Sequence, residues 1–381
     1  MKFPVLRWIL KGILTLTVAA ASLVLLIQPA VILARTGAPA ALQIGDLGHF
    51  DLSEAPVEIL DGCGPGMLEG VLSVPKVYWL LDRDVVAPAP DRSCYSSFDS
   101  PAAMEGFLQD AQMLLDGQKT LFHTGIELQP GTKVTSYLDD TLMAITWKQP
   151  VKGGAGSITE IKIAHPSQFR RYLTENTYGS HVMKHTSVMG KEVNAVVACA
   201  GDFHYNRTMG LVVYNGTVWR EEDTFVDTCH INADGDMMFT YTGQFSSKEE
   251  AQAFVDENGI RFSISFGPAL VEQGKAVEGL RSYLIGQVND RYSRAMLCQL
   301  GPLHYVVVTI NTEGPYRNVM NIHELQALAM EWGAVNAYTL DGGQTGTITM
   351  DGKLINRPDW GLQKYVSDII YFATAKPSGD N

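Results

Sequence analysis

An α+β domain organised around a large mixed β-sheet with a few flanking helices, preceded by an N-terminal transmembrane helix, is the fold this chain predicts. Three observations carry that reading. From about residue 120 onward, short β-branched and aromatic runs separated by turn residues outnumber helical patterns. They do not alternate strictly with helices, which argues against a doubly wound parallel sheet. And the first 35 residues contain an uncharged apolar run, Ile13 to Ala34, long enough to cross a bilayer.

Along the chain, Lys2, Arg7 and Lys11 precede the apolar run and Arg35 closely follows it, which keeps the amino terminus cytoplasmic and the bulk of the protein outside. The small residues at Ala38 to Ala40 offer a rival reading as a cleaved signal peptide, but the run is long for one, which favours an uncleaved anchor. Residues 36–117 read as a stalk or wrapping segment, punctuated by Gly and Pro, with one amphipathic helix at about 101–116. Ser100 caps that helix, Pro101 suits its first turn and Gly117 stops it, while Met104, Phe107, Leu108, Ala111 and Leu115 form an apolar stripe. The main domain is expected over 118–381. Within it, "SITEIKIAH", "VNAVVACA" and "LHYVVVTI" read as strands, and Asn215-Gly216 and Asp351-Gly352 as hairpin turns. Two helices interrupt, one opened by a capping box at Ser246 to Glu249 and ended by Gly259, the other carrying Ile322, Leu325, Leu328, Ala329 and Trp332 before Gly333.

The formal net charge of -12 disfavours nucleic acid and anionic membrane surfaces as partners. Five cysteines suit an oxidising exterior and leave one unpaired; Cys63 with Cys94 is the first pairing expected and Cys199 with Cys229 the second. Cys229-His230 lacks the spacing of a zinc site.

Polar residues gather at three strand ends. "AGDFHYNRT" brings Gly201, Asp202, His204, Asn206 and Arg207 together, "NDRYSRAM" supplies Arg291 and Arg294, and "TLDGGQTGT" supplies Asp341, Gly342, Gly343, Thr345 and Thr347. None has the spacing of a metal site, a P-loop or a Ser-His-Asp triad.

In order, "ACAGDFHYNRTMGLVVYNGTVWRE", "FSISFGPALVEQGK", "RYSRAMLCQLGPLHYVVV", "ELQALAMEWGAVNAYTLDGGQTGTITMDGKLIN" and "SDIIYF" resemble the bacterial, exopolysaccharide-associated branch of the phosphodiester glycosidase family, over roughly residues 120–373. That family includes the enzyme that uncovers mannose 6-phosphate on lysosomal proteins. Gly201, Asp202 and Phe203 match its first loop, although the family Asn there falls on Cys199 or Ala200. Arg294 matches its second segment, where Ala295 and Cys298 replace Thr and Gly. Leu340, Asp341, Gly342 and Gly343 match its third loop, with Gln344 and Thr345 in place of Gly and Ser. Gly267-Pro268 keeps the family turn, whereas "NTEG" from Asn311 to Gly314 stands where an Asp-Gly-Arg is usual.

The resemblance implies a hydrolase of sugar-1-phosphodiesters, acting on a phosphate-linked sugar or cell-surface polysaccharide, and the apolar run Ile13 to Ala34 with its flanking charges makes it a membrane-anchored, extracytoplasmic one. In that reading Arg294 grips phosphate oxygens through two parallel N–H bonds, helped by Gly201, Gly342, Gly343 and Thr345. Asp341 is the first-choice carboxylate for orienting water or stabilising an oxocarbenium-like centre, Asp202 the second, and His204 the proton shuttle. No cofactor is expected; a divalent metal held by Asp202, His204 and Asp341 is a lower alternative. Replacement of the family Asn removes a group able to hydrogen-bond a sugar. That leaves open a second function, an eroded glycan-binding or polysaccharide-assembly module.

Overall fold

The computed structural model describes residues 86–376, apart from 203, 223–224, 282–285 and 313–318. The apolar run Ile13 to Ala34 and Cys63 lie outside the described residues. No helix among the described residues is long and apolar enough to cross a membrane.

A nine-stranded sheet forms the middle layer. From edge to edge it runs Tyr95–Phe98, Val134–Leu138, Leu142–Val151, Gly154–Ile163, His304–Asn311, Arg294–Gly301, Asn336–Leu340, Ala269–Glu272 and Lys275–Ala276. The central strands read as solid apolar runs because both faces are covered, and the alternation of side chains assigns each residue to one side. In His304–Asn311, Val306, Val308 and Ile310 face one core with Trp147, Ile158 and Met296. Tyr305 and Val307 face the other, with Phe169, Phe262 and Phe372.

The first core is closed by helices. Pro101–Asp110 and Gln112–Leu115 contribute Met104, Phe107, Leu108, Leu114 and Leu115, with Ala111 between them, and Ile322–Glu331 contributes Ile322, Leu325, Leu328 and Ala329. Burying one such large apolar side chain is worth about 1.5–3 kcal/mol, so this stripe holds the helices to the sheet more firmly than their caps do. Ser100 caps the first helix by accepting from the Ala103 N–H at 3.3 Å, and Asn321 with Glu324 forms a reciprocal capping box on the last. The helix expected at 101–116 is broken at Ala111, and Asp116 rather than Gly117 is its left-handed C-cap.

The second core is closed by two five-stranded sheets. One orders Lys353–Leu354, Ile348–Met350, Val197–Ala200, Asp368–Phe372 and Phe169–Leu173; the other orders Met237–Thr240, Thr228–Asn232, Ile260–Ile264, Val212–Tyr214 and Thr217–Arg220. Helix Lys248–Glu257 covers the outer face of the latter with Ala251 and Val255. Its cap is Ser247, whose hydroxyl accepts from the Glu250 N–H at 3.2 Å, one residue later than the capping box read from sequence. Asn215-Gly216 and Asp351-Gly352 turn their hairpins with both central residues at positive φ, the geometry whose twist matches paired strands.

The α+β class stands, with few helices on a large sheet, and every described strand pairing is antiparallel where a mixed sheet was expected. The compact unit takes in the described residues from 86 onward and does not start at residue 118. Its first strand, Tyr95–Phe98, pairs with Val134–Leu138, so the segment read as stalk is from residue 95 onward part of the sheet and its helices part of the core. Cys199 and Cys229, the second expected disulfide, are free buried thiols in different sheets.

Candidate active site

Strand register brings Arg294 and Asp341 together. Ala295 lies opposite Leu340 in neighbouring antiparallel strands, so Arg294, which starts one strand, and Asp341, which follows the other, face each other at the same sheet end. Gly342 makes the approach possible, since a Cβ there would sit 2.3 Å from the Ser293 carbonyl oxygen. Both residues line a cavity of about 330 Å³ together with Phe266, Tyr292, Ser293, Gly342, Gly343, Gln344, Asp359 and Trp360.

Within this cavity Arg294 donates from Nε to the Met320 carbonyl at 3.1 Å and from Nη2 to the Asp290 carbonyl at 2.7 Å, over the face of Tyr292. Its fork is therefore partly spent on backbone, and the two parallel bonds expected for a phosphate are not both available. Nη1 has no hydrogen-bond partner among the described residues. Asp341 is buried, which raises its carboxyl pKa; the nearby Arg207 and Lys364 charges, the Thr345 hydroxyl and the Gly342 N–H pull the other way. Thr345 and Gly342 thus hold the carboxylate itself, where sequence reading had them holding substrate.

Arg207 is the residue that reading left without a role. Its Nη2 lies 3.9 Å from the Asp341 carboxylate and its guanidinium sits 4.7 Å above the ring of the cavity-lining Phe266. Its Nη1 is buried with no hydrogen-bond partner among the described residues. A buried, unpaired guanidinium N–H costs free energy unless a ligand accepts from it. The signal was in the sequence, three residues after His204, but nothing in the spacing says which charged member of that cluster reaches Asp341. The loop is shaped by Arg220, which donates to the carbonyls of His204, Arg207, Met209 and Gly210.

Asp202 and His204 occupy a different place. Neither lines the cavity. Asp368 stands opposite Gly201 in register, and a Cβ on Gly201 would fall 1.9 Å from its carboxylate, so Gly201 is required by packing and not by a ligand. Arg171, fully buried, donates from Nη2 to Asp202 at 2.7 Å and from Nε to Asp368 at 3.0 Å. Asp202 also accepts from the Ser265 N–H at 2.8 Å. His204 reaches the Ser367 hydroxyl at 3.2 Å, with its Nδ1 3.6 Å from Asp368. Burial alone would raise the Asp368 carboxyl, but the Arg171 charge and the His204 contact outweigh it and hold it well below the usual carboxylate range. Asp202, His204 and Asp368 offer three donors within 4.8 Å of one another, and Asp368 replaces Asp341 in the triad expected for a metal. The donor set fits a cation poorly, because the Arg171 guanidinium already lies against both carboxylates and would repel a dication.

The departures at Cys199, Ala295 and Cys298 are all buried in strand cores, outside the cavity lining. His230 is buried beside Thr240, 2.8 Å from its hydroxyl, and burial lowers its pKa to about 3.

Comparison with known proteins adds to this geometry. The SPβ prophage-derived uncharacterised protein YomE of Bacillus subtilis (strain 168) is 23% identical over 203 residues, 52% of this chain and 31% of that protein, so the chain spans about a third of that relative's length. The catalytic domain of zebrafish N-acetylglucosamine-1-phosphodiester alpha-N-acetylglucosaminidase, auto-inhibited by its pro-peptide, is similar at 17% identity and a TM-score of 0.49, over 62% of this chain and 84% of that one. A hypothetical protein from Synechocystis is similar at 16% identity and a TM-score of 0.43, over 64% of each chain. A family model described as phosphodiester glycosidase matches residues 192–373, the stretch holding Arg207, Arg294 and Asp341, so this stretch is a domain of the phosphodiester glycosidase family.

Proposed function

We propose that the cavity hydrolyses a sugar-1-phosphodiester. The observation that carries this reading is a buried carboxylate, Asp341, that lines one cavity with the Arg294 guanidinium and has a second guanidinium, that of Arg207, 3.9 Å away, each guanidinium keeping an N–H edge uncommitted among the described residues. The Arg207 and Arg294 Nη1 groups neutralise the phosphodiester, which makes phosphate a competent leaving group. Asp341 accepts a proton from water as the water oxygen attacks the anomeric carbon and the bond from that carbon to the phosphate oxygen breaks. The products are the free sugar and a phosphate monoester. Burial of Asp341, which raises its pKa, suits it to this proton transfer. Asp202 and His204 support the reaction from behind, by fixing the loop that carries Arg207.

The test is release of free sugar from the 1-phosphodiesters of glucose, mannose and N-acetylglucosamine. Wild-type protein releases sugar from at least one, and Asp341→Asn and Arg207→Met each lower kcat by about 100-fold or more. No release from any of them, or full activity in both variants, removes the proposal. The protein is further proposed to act outside the cytoplasm on cell-surface or exopolysaccharide glycans, tethered by its apolar amino-terminal run; protease accessibility in intact cells against lysed cells tests that placement.

A further inference from the structure

The segment 359–366 runs from the cavity along the surface with its backbone pinned at three places. At one end the Asp359 N–H donates to the Gly343 carbonyl at 3.3 Å, and its carboxylate accepts from the Ser293 hydroxyl at 2.8 Å and from Asn311 at 3.3 Å. Midway the Lys364 N–H donates to the Gln344 carbonyl at 3.2 Å. At the far end Val366 bridges Lys184, with N–H to carbonyl distances of 2.9 and 3.0 Å.

Between these anchors the apolar side chains face water. Trp360 is 69% exposed, Leu362 64% and Tyr365 58%. Single exposed hydrophobics are ordinary, but three within six residues on a fixed backbone are not. Trp360 is also part of the cavity wall, and its backbone has φ +63, a conformation that a bulky side chain adopts only at a cost. Tyr365 lies against His185, with ring centroids 4.1 Å apart, so two rings widen the far end. Five residues from Trp360 to Tyr365 span at most about 17 Å.

We infer that this strap is a stacking track for a saccharide chain that continues out of the cavity, so that the substrate is an extended glycan and not a small sugar phosphate. The identification of the ligand as a glycan rests on the reading of the cavity given above. Planar aromatic faces interleaved with Gln344, Asp359 and Lys364 match a pyranose, which presents an apolar face and a rim of hydroxyls. Trp360 belongs both to the strap and to the cavity wall, so a sugar ring stacked on it is continuous with the one the cavity holds.

Saturation-transfer NMR on the full chain with cellotetraose, chitotetraose and maltotetraose tests the track independently of catalysis. Wild type binds at least one tetrasaccharide. Trp360→Ala and Tyr365→Ala each weaken that binding by about tenfold, and Tyr365→Phe retains it. Absence of binding by all three tetrasaccharides, unchanged affinity in both alanine variants, or capture of phosphatidylcholine vesicles in place of sugars overturns the inference. Saccharide binding that needs both rings, in a protein that hydrolyses no sugar phosphodiester, upholds the track and defeats the hydrolase reading. Hydrolysis without tetrasaccharide binding does the reverse.

Discussion

Arg171→Met is the perturbation for which the structure sets the size most directly. The guanidinium lies 2.7 Å from Asp202 and 2.8 Å from Asp368, and all three side chains are shielded from water. At an effective dielectric near 20, each such contact is worth roughly 6 kcal/mol of gross attraction, against a desolvation cost of several kcal/mol for each ion. The intact cluster is therefore close to balanced, but deletion of the cation leaves two carboxylates buried without compensation, a loss of about 3–5 kcal/mol. For a unit of this size that lowers Tm by about 6–10 °C.

The pH dependence follows from Asp368, whose carboxyl is held well below its ordinary value when Arg171 is present. A depressed folded-state pKa contributes stability above the unfolded value, near 3.9, and loses it as pH falls toward the folded one. Without Arg171 the buried carboxyl is easier to protonate, so the melting gap between wild type and variant is widest at pH 7 and narrows from about pH 5 to pH 3. Differential scanning calorimetry across that range measures it. Adding Asp368→Asn to Arg171→Met removes one orphaned charge and recovers part of the loss. A gap below about 2 °C at pH 7, or one that widens in acid, would refute the reasoning.

Three further outcomes are expected. Gly201→Ala drives a methyl to within 1.9 Å of the Asp368 carboxylate, and circular dichroism melting shows a loss above about 3 kcal/mol, whereas wild-type behaviour would mean that the strand ends separate freely. Because burial raises the Asp341 pKa and Arg207 opposes that rise, the acid limb of kcat lies above pH 3.8, moves to higher pH in the residual activity of Arg207→Met, and disappears in Asp341→Asn. Cys199, Cys229 and Cys298 are buried and their thiol pKa values are pushed up by that burial, so a thiol reagent labels none of the three in the native protein and all of them after denaturation.

What the chain announced by itself was local. Asn-Gly and Asp-Gly turns, the Asn321 cap, the apolar stripe of Ile322–Glu331 and the unbroken run "YVVVTI" are each dictated by backbone geometry or by side-chain period, and these need only neighbouring residues to be read. The strand ends that hold Asp202, Arg294 and Asp341 were legible for the same reason. Which of them meet was decided by register, which joins residues far apart in the chain. Pairing of Ala295 with Leu340 sets Arg294 beside Asp341, while pairing of Ile369 with Ala200 sets Asp368 against Gly201 and draws Asp202 and His204 away from the cavity into the ion cluster of Arg171. Neither Arg171 nor Asp368 carries a mark in its own neighbourhood, because a buried charge is defined by the partner that neutralises it, and that partner is a product of the folded sheet.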